Sequence, residues 1–160
     1  MERFTFFWSG PFSQWYPATF KVEGVTFNCA EQYMMYMKAW LFNDIDSIFK
    51  IMESNNPKEQ KRLGRLVEGF QPELWNKLAK KFVYFGNYCK FAQNIDLKEI
   101  LLSTQGTTLV EASPHDIVWG IGLAEHDSRA FCRDTWLGTN WLGEVLTSLR
   151  DDLILKYGDK

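Results

Sequence analysis

A glutamate and a lysine seven residues apart, Glu31 and Lys38, sit in an otherwise apolar run that reads as a helix. Two helical turns put them on one face, separated by roughly 10 Å along the axis. Helical side chains lean toward the N-terminus, so Lys38 points back toward Glu31 and a ligand atom fits between them. A carboxylate and an amine so placed can exchange a proton or stabilise opposite charges. The same residues have plain structural roles open to them: Glu31 as capping-box partner of Asn28, Lys38 as a solvated helix lysine.

The second candidate is Ser113-Pro114-His115-Asp116-Ile117-Val118-Trp119-Gly120-Ile121-Gly122. Asp116, three residues before Trp119, can stand beside an aromatic wall, and Gly120 lets backbone approach a ligand closely. The alternative is a turn in which Asp116 bonds backbone amides and Trp119 fills the core. No strand-GxGxxG-helix unit surrounds the glycines, which excludes a dinucleotide-binding reading. Asn140, opening the last helix after Gly138-Thr139, offers backbone N–H groups to an anion, or serves with Thr139 as a cap. Arg65, in Leu63-Gly64-Arg65, can hold phosphate bidentately or lie exposed on its helix. His115 and His126 lack metal-ligand spacing, and Cys29, Cys89 and Cys132 form no CxxC pair. Neither a metal site nor a disulfide framework is expected.

The elements that must carry these residues follow from pattern. Phe4 to Trp8 is β-prone, and Thr19–Val22 and Val25–Phe27 flank a tight turn at Glu23-Gly24. Helices are expected from Asn28 to about Leu41, Asp44 to Glu53, and from the Asn56 cap with Glu59 closing a box. A long one starts at Pro72 and buries Leu74, Leu78, Phe82, Phe85 and Cys89. Asp96 to Ser103 opens with another Asp-x-x-Glu box. Thr107 to Ala112 is a strand, Ser113 to Thr139 an ordered loop, and Trp141 to Lys156 a helix burying Leu142, Leu146, Leu149 and Leu153. The fold class is α+β: one mostly helical domain, residues 1–160, with a small antiparallel sheet.

A formal net charge of -2, from 18 basic and 20 acidic residues, is not that of a protein that coats nucleic acid. Any such contact is local and salt-sensitive. With no signal-peptide pattern at the N-terminus and no apolar run of membrane-spanning length, a cytoplasmic protein without membrane contact is expected.

Taken in order, these segments resemble the NADAR family of YbiA-like N-glycosidases. Phe7-Trp8-Ser9 is similar to the family's FYS, and Pro11-Phe12-Ser13-Gln14-Trp15 to PFSNF. The helix Cys29-Ala30-Glu31-Gln32-Tyr33-Met34-Met35-Tyr36-Met37-Lys38-Ala39 resembles SxEHYYQAxKA. Leu63-Gly64-Arg65, Trp75, Lys90-Phe91, Leu101-Leu102-Ser103-Thr104, Leu109 to Asp116, Trp119 to Gly122, and Asn140-Trp141-Leu142-Gly143 through Arg150 have counterparts. Gln14 stands where the family has Asn, and Gln32 where it has His. The carboxylates and the lysine are retained.

The resemblance implies hydrolysis of a bond between a ribose anomeric carbon and a base-type nitrogen, with no cofactor. Its substrate is ADP-ribose on guanine in nucleic acid, or a phosphoribosylated small molecule, an intermediate of riboflavin biosynthesis. Glu31, Lys38 and Asp116 would be catalytic, with Lys38 able to form a Schiff base. Ser13, Trp15, Tyr33, Arg65, Trp119, Gly120 and Asn140 would bind the ligand. The competing class is a non-catalytic module that binds ADP-ribose or NAD, which would not need all three catalytic groups.

Overall fold

A computed structural model describes residues 1–158. Six helices and four short strands follow one another as β1 (Phe4–Phe7), β2 (Phe20–Val22), β3 (Val25–Phe27), α1 (Ala30–Leu41), α2 (Ile45–Glu53), α3 (Pro57–Arg65), α4 (Pro72–Ala92), α5 (Ile95–Leu102), β4 (Thr108–Glu111) and α6 (Trp141–Tyr157). The α+β class with predominant helix is as expected. Contacts divide the described chain into two compact units. Gln14–Ile95 forms one; Met1–Ser13 joins the segment from Asp96 onward in the other.

In the unit 14–95, β2 and β3 pair antiparallel, Phe20 opposite Phe27. Glu23 and Gly24 between them have φ of 49° and 81°, the two left-handed residues that a type I′ turn requires. The hairpin lays Phe20 and Phe27 on Tyr33 and Cys89 to form this unit's apolar cluster. Helix α1 packs against α2, α3 and α4. Asp44 caps α2 by accepting from the Ser47 amide, and Asn56 caps α3 by accepting from that of Lys58. Glu59 does not close a box there. Its carboxylate is held by Arg62 at 2.6 Å, one turn along the exposed face.

Helix α4 starts at Pro72 and buries Cys89 as anticipated, but the rest of its inner stripe is different. Trp75, Ala79, Val83, Gly86 and Asn87 face inward, while Phe85 is exposed. The reason is closeness of approach. A Cβ on Gly86 would lie 2.4 Å from the Tyr33 ring, so α1 and α4 meet where the side chains are small. A hydrophobicity pattern favours large apolar residues and misses such a seam.

In the other unit, β1 and β4 pair in parallel, Phe4 opposite Thr108 and Phe7 opposite Glu111. A parallel pair was not anticipated; its partners are about a hundred residues apart, beyond any local signal. Helix α5 begins at Ile95, one residue before the Asp96 taken as its opening. Helix α6 buries Leu142, Leu146, Leu149 and Leu153 as the spacing requires, and it packs on β4. The long loop before it contains two 3₁₀ turns, Ser128–Phe131 and Arg133–Thr135. Among the described residues no helix is long and apolar enough to cross a membrane.

Candidate active site

The start of α1 decides what Glu31 is available for. Cys29, not Asn28, is the N-cap, and it makes no side-chain cap bond. Gln32 takes the reciprocal half of the box, its Oε1 accepting from the Asn28 amide at 2.8 Å. Its amide nitrogen donates to the Ile51 carbonyl at 3.1 Å. Gln32 thus takes a capping-box role of the kind the sequence offered to Glu31. The Glu31 side chain lies buried in the first turn, 6% exposed. A buried carboxylate is costly unless other groups compensate it.

Lys38 lies two turns on, half-buried. Its Nζ is 4.5 Å from the centroid of Phe70 and 5.8 Å from that of Trp75. Burial lowers its pKa below the ordinary lysine value, the negative charge of Glu31 works to raise it, and the positive charge of Arg65 lowers it again. An amine in an aromatic cage, beside another cation, yields its proton more readily than a free lysine. Glu31, Lys38 and Arg65 therefore form one electrostatically linked group in this unit. Phe70 was not foreseen, because a loop residue 32 positions away carries no periodic signal.

Lys90, on α4, is fully buried, its Nζ 4.9 Å from the Phe91 centroid and 5.9 Å from that of Tyr16. Burial pushes its pKa down to about 7, opposed by the nearby Cys29 thiol. Trp15 stays 41% exposed, with the Lys61 Nζ 6.0 Å from its ring. Tyr33 is not available for stacking. It is 4% exposed and packs edge-on to Phe27 at 5.1 Å, and burial pushes its phenol up to about 12.

In the other unit, Asp116 makes the turn that was its alternative reading. Its Oδ1 accepts from the Val118 amide at 2.9 Å and from the Trp119 amide at 2.8 Å. Both bonds fall on that one oxygen. Trp119 is half-buried and meets Trp141 edge-on at 5.5 Å. Ser13 is half-buried, its amide donating to the Gly10 carbonyl at 2.9 Å.

Two of the expected ligand residues, Gly120 and Asn140, also have structural duties of their own. Gly120 is a glycine because of its own chain: a Cβ there would lie 2.9 Å from the Glu111 carbonyl and 3.0 Å from that of Asp116. Asn140 does not present a free helix end. The amides of Asn140, Trp141 and Leu142 donate to the carbonyls of Gly120, Val118 and Trp119. Its fully buried side chain accepts from the Glu111 amide at 3.0 Å and donates to the Leu109 carbonyl at 3.0 Å. Asn140 is thus a clamp that ties the Asp116–Gly120 loop and β4 to α6. It adopts φ 53°, which Asn tolerates better than most residues. Asn140→Ala is expected to cost about 2–4 kcal/mol through two orphaned backbone groups and a strained φ. Calorimetry should show a melting temperature lower by roughly 5–15 °C.

The NADAR domain profile matches residues 6–154. The chain belongs to the NADAR family. It is similar to N-glycosidase R617 of Acanthamoeba polyphaga mimivirus, 44% identical over 146 residues, covering 88% of this chain and 86% of that protein. It is also 40% identical over 158 residues to Protein irg-1 of Caenorhabditis elegans, covering 89% and 74%. The NMR structure of the E. coli protein YbiA superimposes with a TM-score of 0.81 at 26% identity, covering the whole of this chain and 90% of that one. Riboflavin biosynthesis protein PYRR of Arabidopsis thaliana shares 36% identity over 113 residues, but the match is only 17% of PYRR. This NADAR protein is thereby an N-glycosyl hydrolase.

Proposed function

We propose that this N-glycosidase removes ADP-ribose from ADP-ribosylated guanine in nucleic acid. The observation that carries the reading is a buried Glu31 whose charge, with that of Arg65, acts on the half-buried Lys38 two turns along the same helix. Breaking the bond between C1′ and the base nitrogen sends its electron pair to the base and leaves positive charge on the sugar. Glu31 stabilises that charge or takes a proton from the water whose oxygen joins C1′, and the departing base nitrogen gains a proton. The family pattern offers Asp116 as a further catalytic carboxylate, its Oδ1 committed to its own turn. Arg65, exposed, suits the phosphates, and the family pattern offers Trp119 for a flat ring.

Lys38 adds a covalent option. An opened ribose exposes an aldehyde at C1′; the unprotonated amine adds to it and expels water as the imine forms, and water later reverses that step. Borohydride would freeze the imine as a stable secondary amine.

The openness of this surface supports a substrate presented on a polymer: Arg65, Phe70 and Trp15 are all exposed. The similarity to PYRR supports a second substrate class, the phosphoribosylated intermediates of riboflavin biosynthesis. Incubating an ADP-ribosylated guanine oligonucleotide with wild type should release ADP-ribose, read by chromatography. Asp116→Asn should lower kcat by about 10²–10⁴-fold, the usual worth of a positioned acid or base, with folding intact. Turnover of the riboflavin intermediates alone would select the second class. Binding of ADP-ribose without any turnover would leave a non-catalytic reader.

A further inference from the structure

The reaction uses one end of α3, through Arg65, and leaves the rest of that helix unexplained. Lys58, Lys61, Arg62 and Arg65 fall within about 100° of its circumference, opposite the buried Gln60, Leu63 and Gly64. Arg62 is taken by Glu59. Among the described residues no ion pair involves Lys58, Lys61 or Arg65. A solvated basic face alone would signify little. Here, however, Lys61 extends over Trp15, an indole that keeps 41% of its surface in solvent. At the other end Arg65 is close enough to act on the charge of Lys38. A row of cations thus runs along about 10 Å of helix from Lys58 to Arg65, with the Trp15 ring beside its middle.

We propose that the outer face of α3 and Trp15 form a landing surface for single-stranded nucleic acid, its phosphates on Lys58 and Lys61 and one base on Trp15. Cations that track the backbone beside an exposed ring are what sequence-independent single-strand binding requires. A folded acidic protein or a phosphopeptide would satisfy the lysines but leave the indole unused. The patch is local, which reconciles it with a net charge of -2. The inference rests on the nucleic-acid-borne substrate proposed above and adds where flanking nucleotides go.

The test is titration of unmodified, fluorescent oligo-dT of about 12 nucleotides at several salt concentrations. Wild type should bind it, and Lys58→Ala/Lys61→Ala should bind about tenfold more weakly. The slope of log K against log salt should shrink by about 1.4, at about 0.7 per lost contact. Lys58→Arg/Lys61→Arg should restore both. Trp15→Ala should weaken binding about tenfold and Trp15→Phe should recover most of it. Turnover of an ADP-ribosylated guanosine nucleoside, which has no flanking phosphates, should be unchanged in Lys58→Ala/Lys61→Ala; turnover of the modified oligonucleotide should show a raised KM.

No binding of oligo-dT by wild type overturns the proposal, as does equal binding by the double alanine variant or an unaltered salt slope. Oligo-dT binding with no release of ADP-ribose from nucleoside or oligonucleotide would sink the proposed substrate and leave the surface standing. Turnover of both substrates without oligo-dT binding would do the reverse.

Discussion

Lys38→Ala is expected to lower kcat by about 10³-fold or more, the loss typical of a group that acts covalently. Lys38→Arg sharpens the reading. It retains a cation near Glu31 but cannot form an imine, because a guanidinium stays protonated. If Lys38 attacks C1′, arginine should be nearly as inactive as alanine. Should its role be only to hold charge beside Glu31, arginine should recover much of the rate and borohydride should trap nothing.

The pH profile carries the same information. Burial and Arg65 hold the Lys38 pKa below the usual lysine value, so the free amine appears at lower pH than in a solvated lysine. Activity limited by that amine rises with pH through the lowered pKa. Because Glu31 opposes the lowering, Glu31→Gln should shift the rising limb to lower pH while reducing kcat by about 10²–10⁴-fold. A limb that stays in place in Glu31→Gln would show that the two groups do not communicate.

The other large effect is on stability and centres on Lys90. Its amine titrates at about 7 in the folded protein, against an ordinary 10.5. Between those values the unfolded chain binds more protons than the folded one, so raising pH favours folding. Below about 7 both states are protonated there and the dependence disappears. Cys29 works the other way at higher pH. Burial pushes its thiol up to about 11 from 9.0, so the unfolded chain loses that proton first and stability falls. The clear window is therefore from about pH 7 to about pH 8.5, where unfolding free energy should rise by up to about 1.4 kcal/mol per pH unit. Urea unfolding across this window measures the rise, and Lys90→Met should abolish it. A slope in Lys90→Met equal to wild type would remove Lys90 as its source.

What could be read in advance was what is local. The Glu23-Gly24 turn, the Asn56 cap and the leucine stripe of α6 each depend on residues within a few positions of one another. The relation of Glu31 to Lys38 was legible for the same reason. The role of Gln32 was not, because shifting the cap by one residue exchanges which side chain reaches back. Nor were the Gly86–Tyr33 seam, the Phe70 ring over Lys38 or the β1–β4 pairing, each made by segments far apart in sequence. Trp75 and Lys90 had a signal in the family pattern, although their burial did not. The backbone bonds of the Asn140 side chain, to Glu111 and Leu109 some thirty residues earlier, were equally beyond local pattern.

The β1–β4 pair also sets an order of events during synthesis. Phe4 must wait for Thr108, 104 residues later, before it has a strand to join. At about 5–20 residues per second the ribosome takes roughly 5–20 s to make that stretch. Meanwhile every residue of the 14–95 unit has been added, so its helices can collapse while β1 dangles as an apolar, unpaired edge. The half of the chain holding Glu31 and Lys38 is thus translated whole before the half holding Asp116 can close. For those seconds Phe4-Thr5-Phe6-Phe7 is the segment a nascent-chain chaperone has most reason to hold.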